Sequence, residues 1–307
     1  MKIGRIGPVG QEKPVVFTDE QSVIDVSSVI GDWSRETLSA GAVERVRAVL
    51  ESLSTEPLDN RRIGTPVARP TKIICIGMNY RMHAEKTGAE IPTEPVIFMK
   101  TPDCAVGPYD DIEIPPGSTK TDYEVEMAIV IGQQLRYATS HEHAMTAVLG
   151  YTVSQDLSER EWQFERGGQF DKGKGFPTFN PCGPWIETSA DFDPHNQQLS
   201  CLVDGEVRQD STTSDMMFPV AEIVRYVSQC MELFPGDIIN TGTPAGVGAG
   251  MTPPGFLSLG QTVTTTISGI GTISSQTVAA RHAGGLSIIG ARRDQMTGDR
   301  PVRVDRA

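Results

Sequence analysis

Asp122, Glu124 and Glu126 occupy alternate positions of a run, 121–132, whose other residues are mostly those of a buried β-strand. Side chains alternate faces along a strand, so the three acids project one way while Tyr123, Val125, Met127 and Ile129 project the other. Carboxylates held that close repel one another and raise their own pKa values unless a positive charge sits among them. A hard divalent cation supplies that charge, because Mg²⁺, Mn²⁺ and Ca²⁺ take carboxylate oxygens. The competing reading is an edge strand with one solvated acidic face; the apolar continuation Ala128 to Ile131 favours a strand that enters a core.

A further acid follows about thirty residues on, where the run 151–156 reads as a strand ending in Asp156. Two carboxylates from one segment and a third from a neighbouring strand can occupy one side of an octahedron and leave room for water and substrate. Taken alone, Asp156 also reads as a helix N-cap, with Glu159 completing a capping box.

Other reactive side chains gather around these acids in sequence. His83 stands close to Glu85 just after an apolar run, and a histidine beside an acid can act as a general base at neutral pH. Arg160 follows Asp156, and Lys172 and Lys174 lie in a glycine-containing segment; such cations are what a carboxylate substrate needs, and glycines beside Lys174 would let a ligand approach the backbone. His141 and His143 read as solvated residues at a helix start. The glycine-rich run 241–250 lacks GK[ST] and GxGxxG phasing, which disfavours phosphate cradling but leaves an anion-binding turn open. No GxSxG elbow occurs, which weakens a serine hydrolase reading.

The elements that must position these groups can be read in outline. Residues 1–68 form a small leading module with strands near Ile3–Ile6 and Pro14–Phe17 and one helix from about Thr37 to Leu53, apolar at Leu38, Val43, Val46, Val49 and Leu50. Residues 69–282 form the body, opening on the apolar strand 73–77 and dominated by short strands and turns. Asp204-Gly205 marks a hairpin, and Val220 to Phe234 reads as a helix stopped by Pro235-Gly236. Residues 283–307 are polar and arginine-bearing, a tail expected to be mobile.

Composition narrows the function classes. Among 307 residues, 27 basic against 39 acidic give a formal net charge of −12, which argues against nonspecific attraction to nucleic acid or an anionic membrane. Five cysteines, widely spaced and without a CxxC pair, suggest neither a zinc ribbon nor a disulfide framework. No stretch approaches the roughly 20 apolar residues of a membrane span, so a soluble cytoplasmic protein is expected.

Six ordered motifs carry a resemblance. They are Gly77-x-Asn79-Tyr80-x-x-His83, the run 122–126, the run 156–160, Gly173-Lys174-Gly175-Phe176, the run 204–210, and the run 235–248. Together, over roughly residues 70–280, they resemble the fumarylacetoacetate hydrolase family, and the leading residues resemble the small amino-terminal module of many members. The resemblance implies an α+β, β-rich protein whose catalytic domain is a mixed β-roll. It also implies a homodimer that binds Mg²⁺ or Mn²⁺, with Ca²⁺ as a substitute, and acts on a small oxo acid. By motif position it makes Glu124, Glu126 and Asp156 metal ligands, with Asp122 behind them. Lys174 becomes a contact to substrate carboxylate or enolate, and Tyr80, Arg160, Gln163 and Thr243 become substrate-binding residues.

The expected activity is hydrolytic cleavage of a carbon–carbon bond in a β-diketo acid or acylpyruvate-like substrate through a metal-stabilised enolate. His83 would activate water, with Glu85 as its partner. One departure bears on this. Many hydrolytic members of the family carry a glutamate three residues after the histidine, where this chain has Lys86; Glu85 is adjacent and could serve in its place. Pro177, where several members have an acid, leaves substrate identity open. Two alternatives therefore stand beside hydrolysis. One is decarboxylation of an oxaloacetate-like acid or keto–enol isomerisation of an unsaturated dioate at the same site; the other is a catalytically silent small-molecule binding protein.

Overall fold

Runs rich in isoleucine and valine organise the chain into one long mixed sheet. The computed structural model describes residues 1–82, 91–188 and 192–281; the expected tail, 283–307, lies outside them. Ten strands follow one another across the sheet in the order Glu56–Pro57, Ser22–Asp25, Lys13–Phe17, Lys2–Ile6, Asn180–Glu187, Val148–Gln155, Val125–Ile131, Ile238–Asn240, Ile73–Gly77 and Val96–Lys100, and Ala105–Val106 adds to Asn180–Glu187 from the side. Ile238–Asn240 runs antiparallel to Val125–Ile131 and parallel to Ile73–Gly77. All seven residues of Val125–Ile131 are buried, as expected for a central strand covered on both faces.

The covering layer is a second, five-stranded sheet in the order Glu206–Thr212, Gln198–Val203, Thr262–Ile267, Gly271–Ala279, Ile112–Ile114. It packs against the strands Val125–Ile131, Val148–Gln155 and Asn180–Glu187. The Asp204-Gly205 hairpin is present, with φ of 52° at Asp204 and 82° at Gly205, the pair of left-handed residues that a tight hairpin turn of type I′ requires.

Helices are few and short. The helix expected over 37–53 is broken: it forms as Arg35–Ser39 and Ala42–Val49, followed by a 3₁₀ turn at Leu50–Ser52. Gly41 sits between the two at φ 74°, a left-handed conformation that ends one helix and redirects the chain into the next. The helix expected over 220–234 ends at Cys230, and Met231 is already extended. Pro235-Gly236 is therefore not its stop. Leu233 pairs instead as a β-bridge with Leu135, a tertiary contact that overrides the helical spacing of Met231 and Phe234. Val220, Ile223, Val224 and Val227 form its buried face.

The leading residues join the main sheet directly, because Lys2 and Ile3 pair with Glu187 and Ile186. All five cysteines are unpaired thiols, four of them buried. Among the described residues no helix is long and apolar enough to cross a membrane.

Candidate metal and substrate site

The segment carrying the acids is not one continuous strand. Thr121–Asp122 pairs with Ser158–Glu159, Val125–Ile131 pairs with Val148–Gln155, and Tyr123 and Glu124 form a step between them. A step inside a core leaves backbone N–H groups without ladder partners, and such groups must be satisfied or they destabilise the fold. Two buried glutamines do this. Gln155 Oε1 accepts from the Glu124 N–H, while Gln209 Oε1 accepts from the Val125 N–H at 2.9 Å. Gln155 Nε2 then donates to Thr265 Oγ1 at 2.8 Å, and Gln209 Nε2 to Thr243 Oγ1 at 2.8 Å. The Asp156 N–H donates to the Glu124 carbonyl at 2.9 Å, so the backbone itself fixes the spacing of two of the acids.

Glu124, Glu126 and Asp156 converge. One carboxylate oxygen from each lies within 4.8 Å of the others, and all three residues are buried. Asp156 thus caps no helix; Glu159 accepts from the Trp162 N–H at 2.8 Å.

Cations surround this trio unevenly. Lys174 Nζ stands 2.7 Å from Glu124 Oε2 and 2.8 Å from Asp156 Oδ2. Arg160 Nη2 lies 2.6 Å from Glu124 Oε1, and Arg160 also reaches Asp122 Oδ2 at 2.8 Å and Gln163 Oε1 at 2.9 Å. Burial by itself would raise the Glu124 pKa, but Lys174 and Arg160 outweigh it and bring the carboxyl down to about 2. Glu126 receives the Gly242 N–H at 2.7 Å and has no ion pair among the described residues. Burial, followed by the charges of Asp156 and Glu124, pushes its carboxyl well above the usual range. The buried Lys174 ammonium is held charged by Asp156 and Glu124 despite the opposing effect of burial.

This donor set fits a hard divalent cation. A buried carboxylate without an ionic partner among the described residues, with oxygens of two others within 4.8 Å of its own, is what a Mg²⁺- or Mn²⁺-type ion would compensate. The turn that supplies Gly242 is shaped for it: Gly242 has φ 100°, and a Cβ there would lie 2.8 Å from Asn79 Cβ and 2.9 Å from the Ile76 carbonyl.

The other expected site residues distribute as follows. Arg160, Gln163, Lys174 and Thr243 line a cavity of about 160 Å³ together with Glu124 and Glu126. Thr243 Oγ1 donates to the Val125 carbonyl at 2.9 Å, so its hydroxyl also braces the step. Tyr80 is fully buried and does not line this cavity. Asn79 clamps the loop by bonding the Thr241 carbonyl at 2.7 Å and the Phe218 N–H at 2.8 Å, which turns Tyr80 into the core. Met78, two residues earlier and left-handed at φ 56°, faces the cavity instead. His83 and Glu85 lie outside the described residues.

Two readings of glycine-rich segments are corrected. A Cβ at Gly173 would lie 2.6 Å from the Glu159 carbonyl and 2.8 Å from the Gln163 N–H; the close approach is to the chain's own backbone, not to a ligand. The nest at 241–250 holds an internal carboxylate, since Gly248 N–H and Ala249 N–H donate to Asp122 at 2.7 and 2.9 Å.

Sequence reasoning missed Lys100, Gln155 and Gln209. Lys100 ends the strand Val96–Lys100, has a fully buried side chain, and places Nζ 2.5 Å from Asp156 Oδ1 and 3.0 Å from the Leu157 carbonyl. A lysine closing an apolar strand run was the available signal. The glutamines gave none, because their role depends on a step in a strand that the alternation of residues conceals.

The chain belongs to the fumarylacetoacetate hydrolase family. The family model described as fumarylacetoacetate (FAA) hydrolase C-terminal matches residues 72–278. A curated relative from Burkholderia ambifaria, named "Putative hydrolase", is 46% identical over 287 residues, covering 92% of this chain and all of that protein. Among solved structures, 2-hydroxyhepta-2,4-diene-1,7-dioate isomerase from Mycobacterium marinum is 32% identical with a TM-score of 0.72, covering 92% of this chain and 100% of that one. Maleylpyruvate hydrolase from Sphingobium sp. SYK-6, in complex with manganese(II) and pyruvate, is 26% identical with a TM-score of 0.75, at the same coverage. The family thus includes hydrolases and isomerases on this fold.

Proposed function

We propose that this chain is a divalent-metal-dependent, cytoplasmic hydrolase that cleaves a carbon–carbon bond in a β-diketo acid or acylpyruvate-like substrate. The observation that carries the reading is the convergence of Glu124, Glu126 and Asp156 within 4.8 Å, with Glu124 and Glu126 lining a pocket that Lys174 and Arg160 also line. The three acids would hold Mg²⁺ or Mn²⁺, and such an ion, when bound, supplies Lewis-acid polarisation of a 2-oxo acid. The relative solved with manganese(II) and pyruvate supports that pairing of ion and ligand class.

The chain's own groups then divide the work. Lys174 and Arg160 bring fixed positive charge to the side of the pocket where negative charge develops on the departing fragment. Gln163 and Thr243 orient the head group. His83, partnered by Glu85, takes a proton from water as its oxygen bonds to the acyl carbonyl carbon. The carbon–carbon bond breaks, the departing carbon receives a proton, and a carboxylic acid and a pyruvate-like acid leave. A homodimer is part of the same proposal, to be read by light scattering of the purified protein.

Decarboxylation or isomerisation at the same site is the second reading. It is favoured by Lys86 in the histidine motif and by the isomerase name of the Mycobacterium marinum relative. Incubating the purified protein and Mg²⁺ with an acylpyruvate and with oxaloacetate separates the two. Release of pyruvate and a carboxylic acid supports hydrolysis; carbon dioxide from oxaloacetate alone rejects it. A silent binding protein would show neither product.

A further inference from the structure

The pocket has two chemically different ends. Its polar part carries Glu124, Glu126, Arg160 and Lys174 with Gln163 and Thr243, while Ile76, Met78, Phe98, Phe164 and Phe170 line the rest with Gly77. The rings form a joined wall: Phe98 meets Phe170 edge to face at 5.7 Å between centroids, and Phe164 meets Phe170 at 5.5 Å and 87°. The wall begins at the polar part, since Lys174 Nζ lies 5.0 Å from the centre of the Phe98 ring. Phe164 sits on the short π-helical turn Glu161–Glu165 that also turns the buried Gln163 into the pocket, yet Phe164 itself is 55% exposed. An aromatic ring held at the mouth of a polar pocket is available to cover an apolar ligand.

No described residue brings a free cation to the other end. Among the described lining residues the cations are Arg160 and Lys174, and both are engaged by the acids of the site. Among the described residues a second carboxylate on a ligand would meet phenyl rings and no free cation, at the cost of its hydration.

Resting on the 2-oxo acid reading above, we propose that the substrate carries an uncharged, apolar acyl tail, alkyl or aryl, and that Phe98, Phe164 and Phe170 select it over a tail ending in a carboxylate. Phe164, at the mouth, is the residue on which the selection turns.

Binding tests this apart from catalysis. Phenylpyruvate and 2-oxoglutarate share a 2-oxo acid head and differ in the tail; each is titrated calorimetrically into the Mg²⁺-loaded protein. Phenylpyruvate should bind tighter by about tenfold or more, the scale on which a few apolar groups discriminate. Phe164→Ala should shrink that ratio, Phe164→Leu should keep most of it, and Phe164→Arg should move it toward 2-oxoglutarate. Tighter binding of 2-oxoglutarate by the natural chain, no binding of either acid, or a ratio indifferent to Phe164→Ala overturns the assignment. Acylpyruvate turnover is scored separately, so loss of the hydrolase reading with the binding preference intact leaves the tail assignment standing.

Discussion

Lys174 bridges two of the three converging acids, with its ammonium 2.7 Å from Glu124 Oε2 and 2.8 Å from Asp156 Oδ2. In the metal-free chain it shares the counter-charge of the site with Arg160 and Lys100, and it alone of the three touches two of the converging acids. Lys174→Met would strip that charge from a place that is 1% exposed. Breaking a buried ion pair from one side costs about 3–5 kcal/mol, so the metal-free variant should unfold at clearly lower temperature. Mg²⁺ should raise its melting temperature by more than it raises that of the natural chain, a comparison made by calorimetry with and without the ion.

Glu126 behaves oppositely to Glu124 under titration. Burial, above all, holds its folded pKa well above the ordinary glutamate value. The stability it contributes is therefore fully present below its unfolded pKa and lost as pH rises through the raised folded value. Glu126→Gln removes that loss. In metal-free protein the variant should gain stability relative to the natural chain as pH increases, measured by denaturant unfolding across pH 4 to 9, while its Mg²⁺ affinity falls by about tenfold or more.

Glu124 gives the reverse sign. Its pKa is down at about 2, so its contribution is present above the ordinary glutamate value and lost as pH falls from there toward 2. Glu124→Gln should flatten the acid limb of the stability curve in metal-free protein. An acid limb identical in both proteins would remove Glu124 from this role.

Ion uptake should release protons. Glu126 must give up its proton to act as a ligand, so Mg²⁺ affinity should increase with pH. Titrations in buffers of different ionisation enthalpy would count the protons; a heat independent of buffer would contradict the raised Glu126 pKa.

Lys100 is a positioning residue for Asp156. Its Nζ holds Asp156 Oδ1 at 2.5 Å while Oδ2 turns toward Lys174. Lys100→Met should weaken Mg²⁺ binding by about 10–100-fold, as expected when a group supporting a ligand is lost. Lys100→Arg should not restore it, because a planar fork does not fit a space shaped for a point charge.

The legible parts of this chain were those set by local chemistry. The alternate acids, the Asp204-Gly205 turn and the apolar strand at 73–77 each announce themselves within a few residues. What eluded the sequence depends on distant partners. Gln209 is 84 residues from the N–H it satisfies, and Lys100 is 56 residues from Asp156. The break at Gly41 and the early end of the helix at Cys230 follow from backbone conformation and from the Leu135 bridge, neither of which apolar spacing encodes. Phe164 and Phe170 carry no local signal of the ring contact that the fold gives them.

The pairing of Lys2–Ile6 with Asn180–Glu187 makes the first residues a shield as well as a leading segment. Truncating the chain ahead of residue 69 would uncover the Ile186–Glu187 end of a strand that is buried along its whole length, an open template for adhesion between copies. The shortened protein is expected to clump, and residues 1–68 to be indispensable for solubility even though they contribute no side chain to the carboxylate trio.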